Sequence, residues 1–177
     1  VSIERLSDHL TFDTIENNLI VARDCLGIKP LYYYQDEDSF IFSSEIKALE
    51  KLICSQSLTL DKKSINRYLT FQWCPGDGTP YNEIKKHNPG ESLTIQGGEI
   101  VDRSTFFQLP IFKPIRKSCK APVEEIVAEL DTNLRKAVHD QMLSDTPVGA
   151  FLSGGLDSTS IVAFAREIEP SIPCFTI

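Results

Sequence analysis

The amino-acid sequence predicts an α+β part followed by an α/β part with a parallel sheet, so that two domains share one chain. Residues 10–107 contain short β-rich runs joined by tight turns, whereas residues 123–177 contain a long helical pattern followed by strand, helix and strand. Between the two patterns, residues 109–122 hold three prolines and four basic residues without periodicity, which is typical of a linker. We therefore expect a first domain over residues 1–113 and a second over residues 114–177.

The first part is predicted to consist of antiparallel hairpins with two short helices between them. Apolar runs and turn-forming residues indicate hairpin strands at residues 10–15 and 18–23, 30–34 and 39–42, and 91–96 and 99–107. Ser43 or Ser44 can cap a helix that continues to residue 52, and Asp61 can cap a second helix. In that second helix we expect three side chains to point inward, those of Ile65, Tyr68 and Leu69.

The second part begins with a long amphipathic helix. Apolar residues recur at three- and four-residue spacing over residues 123–142, and Pro122 stands at the entrance, where its missing N–H costs little. We expect this to be a core helix without chemistry of its own. Residues 147–152 and 173–177 are predicted strands on either side of a helix at residues 156–168, which favours a right-handed parallel unit.

Composition excludes several classes of protein. The net charge of −7 argues against nucleic-acid binding, and no run approaches the roughly 20 apolar residues that cross a bilayer. The five cysteines lie far apart and form no C-x-x-C pair, so the spacing typical of metal ligands is absent. We expect reduced, mostly buried thiols and a cytoplasmic location.

One motif carries chemistry. The run Ser153-Gly154-Gly155-Leu156-Asp157-Ser158 lies between the apolar strand 148–152 and a helix. Two glycines allow backbone N–H groups to approach phosphate oxygens, and the start of the helix adds further N–H groups and a positive dipole. Asp157 would repel a bare phosphate, so its place in the first helical turn indicates a Mg²⁺ that bridges it to pyrophosphate.

Two other interpretations of this run are open. One is a glycine turn in which Asp157 and Ser158 serve only the start of the helix. The pattern S-G-G-x-D-S, however, arises by chance in only about 10⁻⁴ of chains of this length. A Walker A loop is the other, and no G-K-S or G-K-T follows the glycines. We therefore expect a pyrophosphate-binding loop that supports attack on the α-phosphate of ATP.

Four landmarks together resemble the glutamine-hydrolysing asparagine synthetase family. Residues 144–158 read S-D-T-P-V-G-A-F-L-S-G-G-L-D-S, and residues 22–33 contain A-R-D followed by G-I-K-P-L-Y-Y. Residues 44–49 read S-E-I-K-A-L, and residues 88–90 read N-P-G. The landmarks occur in the order typical of the family and span nearly the whole chain.

The resemblance implies a fold and an activity. It implies the C-terminal part of an Ntn-hydrolase (class II glutamine amidotransferase) antiparallel sandwich, followed by the start of an adenine nucleotide α-hydrolase-like, pyrophosphate-loop domain. The implied enzyme is an ATP-dependent carbon–nitrogen ligase that adenylates aspartate and amidates it with ammonia from glutamine, giving asparagine, AMP and pyrophosphate. ATP and Mg²⁺ are the implied cofactors; aspartate, glutamine and ATP are the implied small-molecule partners, and a homodimer is left open.

The resemblance also implies the binding residues. Contacts to the ATP pyrophosphate fall on Ser153, Gly154, Gly155, Leu156, Asp157 and Ser158, with the metal at Asp157. Phe151 and Ile177 are implied to lie near the adenine and ribose.

Departures from the family pattern limit what this chain is expected to do alone. The family's nucleophile is an N-terminal cysteine, but the chain begins with Val1, so no catalytic residue is expected in it. We expect an internal fragment that is inactive by itself. Arg23 and Asp24 are better explained as an internal salt bridge or hydrogen-bond anchor than as catalytic groups.

Other functions remain open on the sequence alone. A β-lactam synthetase-like or peptide-cyclising relative would keep this scaffold and adenylate another carboxylate. A tRNA-modifying pyrophosphate-loop enzyme is opposed by the acidic charge and the strand-rich first part. A non-catalytic module is opposed by the intact loop.

Overall fold

The computed structural model describes residues 9–37, 39–53, 57–109 and 121–176. The chain divides into two compact units, Val1–Lys113 and Pro114–Ile177. The elements of the first unit are β1 (His9–Asp13), β2 (Asn18–Ala22), β3 (Tyr32–Gln35), β4 (Phe40–Ser43), α1 (Ile46–Leu52), α2 (Lys62–Phe71), β5 (Ile84–Lys86), β6 (Glu91–Gln96) and β7 (Glu99–Thr105). Those of the second unit are α3 (Val123–Gln141), β8 (Ala150–Phe151), α4 (Leu156–Ile168) and β9 (Cys174–Phe175).

The first unit contains two antiparallel sheets. Four strands pair in the order β1-β2-β6-β7, and three pair in the order β4-β3-β5. The three predicted hairpins are confirmed, because β1 pairs with β2, β3 with β4 and β6 with β7. Positive φ angles at Asn17 and at the Gly97-Gly98 pair form two of the tight turns.

A shared core joins the two sheets. Successive side chains of a strand point to opposite faces, so Tyr33 of β3 faces one side while its neighbours face the other. On the Tyr33 side, residues of both sheets form one buried cluster, Val21, Leu31, Tyr33, Leu93 and Ile95. The rings of Tyr33 and Phe40 stack within it at 5.5 Å between centroids. The antiparallel part of the predicted fold is thus observed as two sheets packed face to face.

Helix α1 covers the other face of the three-stranded sheet. Leu49 and Ile53 pack there with Ile84 of β5, and Tyr32 and Tyr34 pack against them. The first unit therefore has a sheet, a second sheet and a helix as successive layers. The sequence analysis did not predict β5, because a strand of three residues is too short to show an alternating pattern.

Helix starts were predicted with mixed success. Asp61 caps α2 as expected, with its carboxylate accepting from the N–H of Lys63 at 2.9 Å. The serine cap of α1 was wrong: α1 starts after Glu45 without a side-chain cap, and the Ser43 hydroxyl accepts from the N–H of Glu45 instead.

The inward face predicted for α2 was wrong for two of its three residues, while the third, Ile65, is half-buried. Tyr68 is 58% exposed and Leu69 is 74% exposed, while the buried side chain of α2 is Ser64. Ser64 faces inward because the chain at Gly78 lies directly against it, so that a Cβ atom at Gly78 would overlap the Ser64 hydroxyl oxygen.

The second unit has the predicted parallel arrangement. β8 and β9 pair in parallel, with Ala150 opposite Cys174 and Phe151 opposite Phe175, and α4 connects them. Each strand is two residues long, shorter than predicted. α3 spans the predicted range, but no residue of it is buried, so the expectation of a core helix was wrong for the described residues.

Two expectations from composition can be compared with the structure. Cys25 and Cys74 are half-buried and Cys174 is exposed, all as free thiols, so the expected burial is wrong for these three. Each stands in a loop or in a short strand that nothing covers fully. Cys54 and Cys119 lie outside the described residues. Within the described ranges, every helix is too short or too polar to cross a membrane.

Gly90 bonds two other stretches of the first unit, the turn after β2 and the segment after β7. Its N–H donates to the carbonyl of Asp24 at 3.1 Å, and its own carbonyl accepts from Phe106 at 2.9 Å. Its φ is +70°, and a Cβ atom there would overlap the carbonyl oxygen of Phe107. Only glycine satisfies both conditions without a backbone shift.

We therefore predict that Gly90→Ala lowers the free energy of unfolding by about 3 kcal/mol, since left-handed strain and overlap with backbone act together. Gly97→Ala is the matched control: φ is also positive, at +60°, but a Cβ atom meets nothing within 4 Å. It should cost about 1 kcal/mol from the strain alone. Urea unfolding followed by fluorescence of Trp73, the single tryptophan, measures both. Equal losses in the two variants would contradict the prediction.

Candidate functional site

The exposed loop of residues 153–158 begins at the carboxyl end of β8. The N–H of Leu152 donates to the carbonyl of Phe175 at 2.7 Å, which extends the pairing of the two strands up to the loop. A Cβ atom at Gly149 would lie 2.7 Å from the Phe175 ring. Glycine at that position therefore lets β9 approach closely and sets where the loop emerges.

The two glycines shape the loop. Gly154 has φ +77°, and a Cβ atom there would meet nothing within 4 Å. Gly155 is extended, with φ −76° and ψ 162°, and occupies the N-cap position of α4 without a side-chain cap. The first N–H groups of an α-helix have no partner within the helix, so they are available to an anion at this end.

Two hydroxyl groups flank the glycines. The Oγ atoms of Ser153 and Ser158 lie 3.0 Å apart, and the Ser158 hydroxyl donates to the carbonyl of Gly155 at 3.2 Å. Both hydroxyls can rotate toward an acceptor above the loop. The arrangement brings together hydroxyl donors, backbone donors and a helix dipole, which is the chemistry that a phosphate group needs.

Asp157 and Leu156 occupy the first turn of α4. Both are exposed, Leu156 to 83%. Within the described residues, no group of three or more His, Cys, Asp or Glu side chains could hold a metal ion. Mg²⁺ fits the one carboxylate that is present, because this ion commonly binds through one or two carboxylates together with phosphate oxygens and water.

Phe151 lies beside the loop on an apolar cleft. Its side chain is 77% exposed, with the ring centroid 6.3 Å from that of Phe175. Together with Ser158 it lines a cleft of about 540 Å³ between α3, α4 and β8. The structure thus brings the predicted loop residues together and places Phe151 next to them. Ile177, the other residue expected near the nucleotide, lies outside the described residues.

Arg23 acts as a hydrogen-bond anchor. It is only 6% exposed, and its guanidinium donates to the carbonyls of Lys29 at 2.9 Å, Gly27 at 3.0 Å and His87 at 2.5 Å. Of the two structural roles considered for it, the hydrogen-bond anchor is the one observed. With all these donors directed at the backbone, Arg23 is not available to a substrate.

Asp24 organises the turn that follows it. Its carboxylate, 4% exposed, accepts from the N–H groups of Leu26 at 2.9 Å, Ile28 at 3.1 Å and Lys29 at 3.3 Å. Burial by itself would raise the pKa of Asp24, but the backbone hydrogen bonds outweigh it and leave the pKa below the ordinary 3.8. Asp24 is therefore a charged structural group.

His87 is a buried polar residue that the sequence analysis did not single out. It is fully buried at the end of β5, with its Nε2 atom 2.9 Å from the carbonyl oxygen of Glu91. A lone histidine among polar neighbours shows no periodic pattern, so its burial could not be anticipated.

Known protein families match both parts of the chain. The glutamine amidotransferase domain family model matches residues 9–107, and the asparagine synthase family model matches residues 129–177. The chain is 35% identical to an asparagine synthetase [glutamine-hydrolyzing] of Bacillus subtilis over 95% of its own length and 26% of that protein. It is 34% identical to a putative asparagine synthetase of Methanocaldococcus jannaschii, over 88% and 30%, and 31% identical to one of Mycobacterium bovis, over 98% and 27%.

The chain belongs to the glutamine amidotransferase domain family, whose model matches more than half of its length. The asparagine synthase match and the three relatives confirm the resemblance drawn from the four sequence landmarks. The chain spans between 26% and 30% of the length of these three relatives.

The environment of Asp24 yields a prediction about pH. We expect Asp24→Asn to lower the free energy of unfolding at pH 7 by about 2 kcal/mol, because a charged acceptor of several N–H groups becomes a neutral one. A lowered pKa means that the charge of Asp24 stabilises the fold above pH 3.8 and that this contribution is lost as pH falls below 3.8 through the folded value. The difference between the native chain and Asp24→Asn should therefore shrink below pH 3.8.

Urea unfolding at a series of pH values from 3 to 7 measures this difference. Asp102→Asn is the matched control, because Asp102 is an exposed carboxylate on β7. It should change the free energy of unfolding by less than about 0.5 kcal/mol. A difference for Asp24→Asn that stays constant down to pH 3 would contradict the assignment of Asp24 as a stabilising charge.

Proposed function

We propose that the protein synthesises asparagine from aspartate, glutamine and ATP. In the proposed reaction, a side-chain carboxylate oxygen of aspartate attacks the α-phosphorus of ATP, and pyrophosphate leaves. Ammonia released from glutamine then attacks the activated carbonyl carbon, and AMP leaves with the C–O bond electrons. Adenylation is needed because a free carboxylate is a poor electrophile.

The observation that carries this proposal is the presence of two complementary parts in one chain. Residues 9–107 belong to a glutamine amidotransferase domain, which is a source of ammonia. The loop of residues 153–158 lies at a strand-to-helix junction of an asparagine synthase match and presents donors suited to pyrophosphate. An ammonia source coupled to a site that activates a carboxylate is what amide synthesis from glutamine requires.

The proposed roles follow the geometry of the loop. The backbone N–H groups of Gly154, Gly155 and Leu156 and the hydroxyls of Ser153 and Ser158 hold the pyrophosphate of ATP. Asp157 holds Mg²⁺, which neutralises phosphate charge when bound. The exposed ring of Phe151, with Ile177, borders the adenine and ribose, and the apolar cleft beside Phe151 supports that position.

The finer assignments of fold and setting are part of the same proposal. We assign residues 1–113 to the C-terminal part of an Ntn-hydrolase sandwich, in line with the two facing antiparallel sheets, and residues 114–177 to the start of a pyrophosphate-loop domain. A cytoplasmic location, the absence of nucleic-acid partners and a homodimer remain predictions of the sequence and its family.

The proposal predicts that ATP–pyrophosphate exchange by the whole protein requires aspartate, without glutamine. Asp157→Ala should reduce that exchange at least about 100-fold, because the metal-bound phosphate charge loses its carboxylate partner. Glu129→Ala, which removes an exposed carboxylate of α3, should leave exchange unchanged. Exchange that survives in Asp157→Ala would overturn the role of Asp157, and ATP binding without aspartate-dependent exchange would require a different carboxylate substrate.

A second variant separates phosphate contact from backbone strain. Gly155 has an ordinary negative φ, and a Cβ atom there would lie 3.6 Å from the Ser153 hydroxyl oxygen. We expect Gly155→Ala to change the free energy of unfolding by less than about 0.5 kcal/mol. Its added methyl group should nevertheless weaken ATP binding about tenfold or more, measured by calorimetry on the whole protein. Native-like ATP affinity in Gly155→Ala would contradict the proposed contact.

A further inference from the structure

His87 lies at the point where the two sheets of the first unit are joined. It follows β5, and its N–H donates to the carbonyl of Leu31 at 2.8 Å, just before β3. Its carbonyl accepts from Arg23, which follows β2, and its ring bonds the carbonyl of Glu91, the first residue of β6. One residue thus connects the ends of strands from both sheets.

The hydrogen bonds of the ring define its protonation state. A carbonyl oxygen can only accept, so the Nε2 atom at 2.9 Å from the carbonyl of Glu91 carries the proton. The neutral ring then has a bare Nδ1 atom. That atom is buried and has no hydrogen-bond partner among the residues that the structure describes. A proton added to Nδ1 would be a buried donor without an acceptor, which is costly.

The two arginines near the ring also disfavour its protonation. The buried Arg23 guanidinium and the partly exposed Arg103 of β7 both oppose a further positive charge, and Lys86 adjoins His87 in the chain. Glu91 favours protonation, but its carboxylate already pairs with Arg103 at 3.2 Å. Tyr33 of β3 meets the ring edge-on with 6.4 Å between centroids and brings no charge to it.

Burial has the largest effect on the pKa of His87 and lowers it. Burial and the two arginines together outweigh Glu91, which raises this pKa. The pKa of His87 therefore lies below the ordinary 6.5. The unfolded chain accepts a proton on this residue at a higher pH than the folded chain does. The contribution of the neutral His87 ring to the free energy of unfolding is therefore complete above pH 6.5. It is lost as pH falls below 6.5 toward the pKa of His87 in the folded chain.

We propose that His87 is an acid-sensitive latch of the amidotransferase unit, in which protonation of the buried ring opens the turn of residues 87–91. Opening releases the carbonyl that Arg23 holds and the start of β6, so it loosens the junction of the two sheets. The inference rests on the fold of the first unit and does not depend on the proposed synthetase reaction.

The test is urea unfolding of the whole chain from pH 8 to pH 5, followed by the fluorescence of Trp73. Trp73 is the single tryptophan and lies in the first unit, so its fluorescence reports the unfolding of that unit. The unfolding constant of the native chain relative to that of His87→Phe should rise between pH 7.5 and pH 5.5, by at most about tenfold, which is the limit for one proton taken up on unfolding. The control His139→Gln removes an exposed histidine and should keep the native pH dependence. Equal pH dependence in the native chain and His87→Phe would overturn the proposal.

A second measurement uses the native chain, so it holds even where His87→Phe fails to fold. Ring ¹⁵N chemical shifts should show His87 as the neutral Nε2–H tautomer at pH 7.5, with a titration midpoint below 6.5. Amide exchange at His87 and Gly90, corrected for the intrinsic pH effect, should speed up as the ring becomes protonated and the turn opens. A ring that titrates at 6.5 or above, or amides whose protection does not change, would contradict the latch.

Discussion

The guanidinium of Arg23 connects two separate stretches of the first unit through hydrogen bonds to three backbone carbonyls. Two of the acceptors lie in the turn that follows β2, and the third is at His87, 64 residues further along the chain. A buried cation is costly unless its donors are satisfied, and a planar guanidinium can satisfy several carbonyls at fixed angles. Lysine would bring the charge without that geometry. This side chain therefore joins the turn before β3 to the turn before β6.

The neighbouring residues complete the same junction. Asp24 accepts from N–H groups of its own turn, while the N–H of Gly90 bonds the carbonyl of Asp24. At Gly27, with φ +66°, a Cβ atom would lie 2.8 Å from the ring of Pro89, so the two turns are in direct contact there. The A-R-D and N-P-G landmarks that identify the family in this half are therefore structural. Arg23, Asp24 and Gly90 of these landmarks are buried and hydrogen-bonded, in contrast to the largely exposed S-G-G-L-D-S run.

Features that depend on residues close together in the sequence could be predicted, whereas features that depend on distant residues could not. Hairpins around Asn17 and Gly97 and the cap at Asp61 depend on residues a few positions apart, and all were predicted. Periodicity could show that α2 and α3 each have an apolar face, but it could not show what covers that face. The burial expected for these faces is not found, since Tyr68 and Leu69 are exposed and no residue of α3 is buried. β5 forms because it pairs with β3, and a three-residue sequence gives no indication of such a long-range contact.

The same distinction explains what could be predicted of the site. A phosphate-binding loop is local chemistry: two glycines, two hydroxyls and a helix start within six residues, after an apolar strand. Its conformation follows from a positive φ at Gly154 and from the helix that begins at Leu156, so sequence alone indicates it. The environment of His87 is assembled from β2, β3, β6 and β7 together, and no short pattern contains it. Sequence motifs thus report ligand-binding loops more readily than buried titratable groups, whose properties are created by distant parts of the chain.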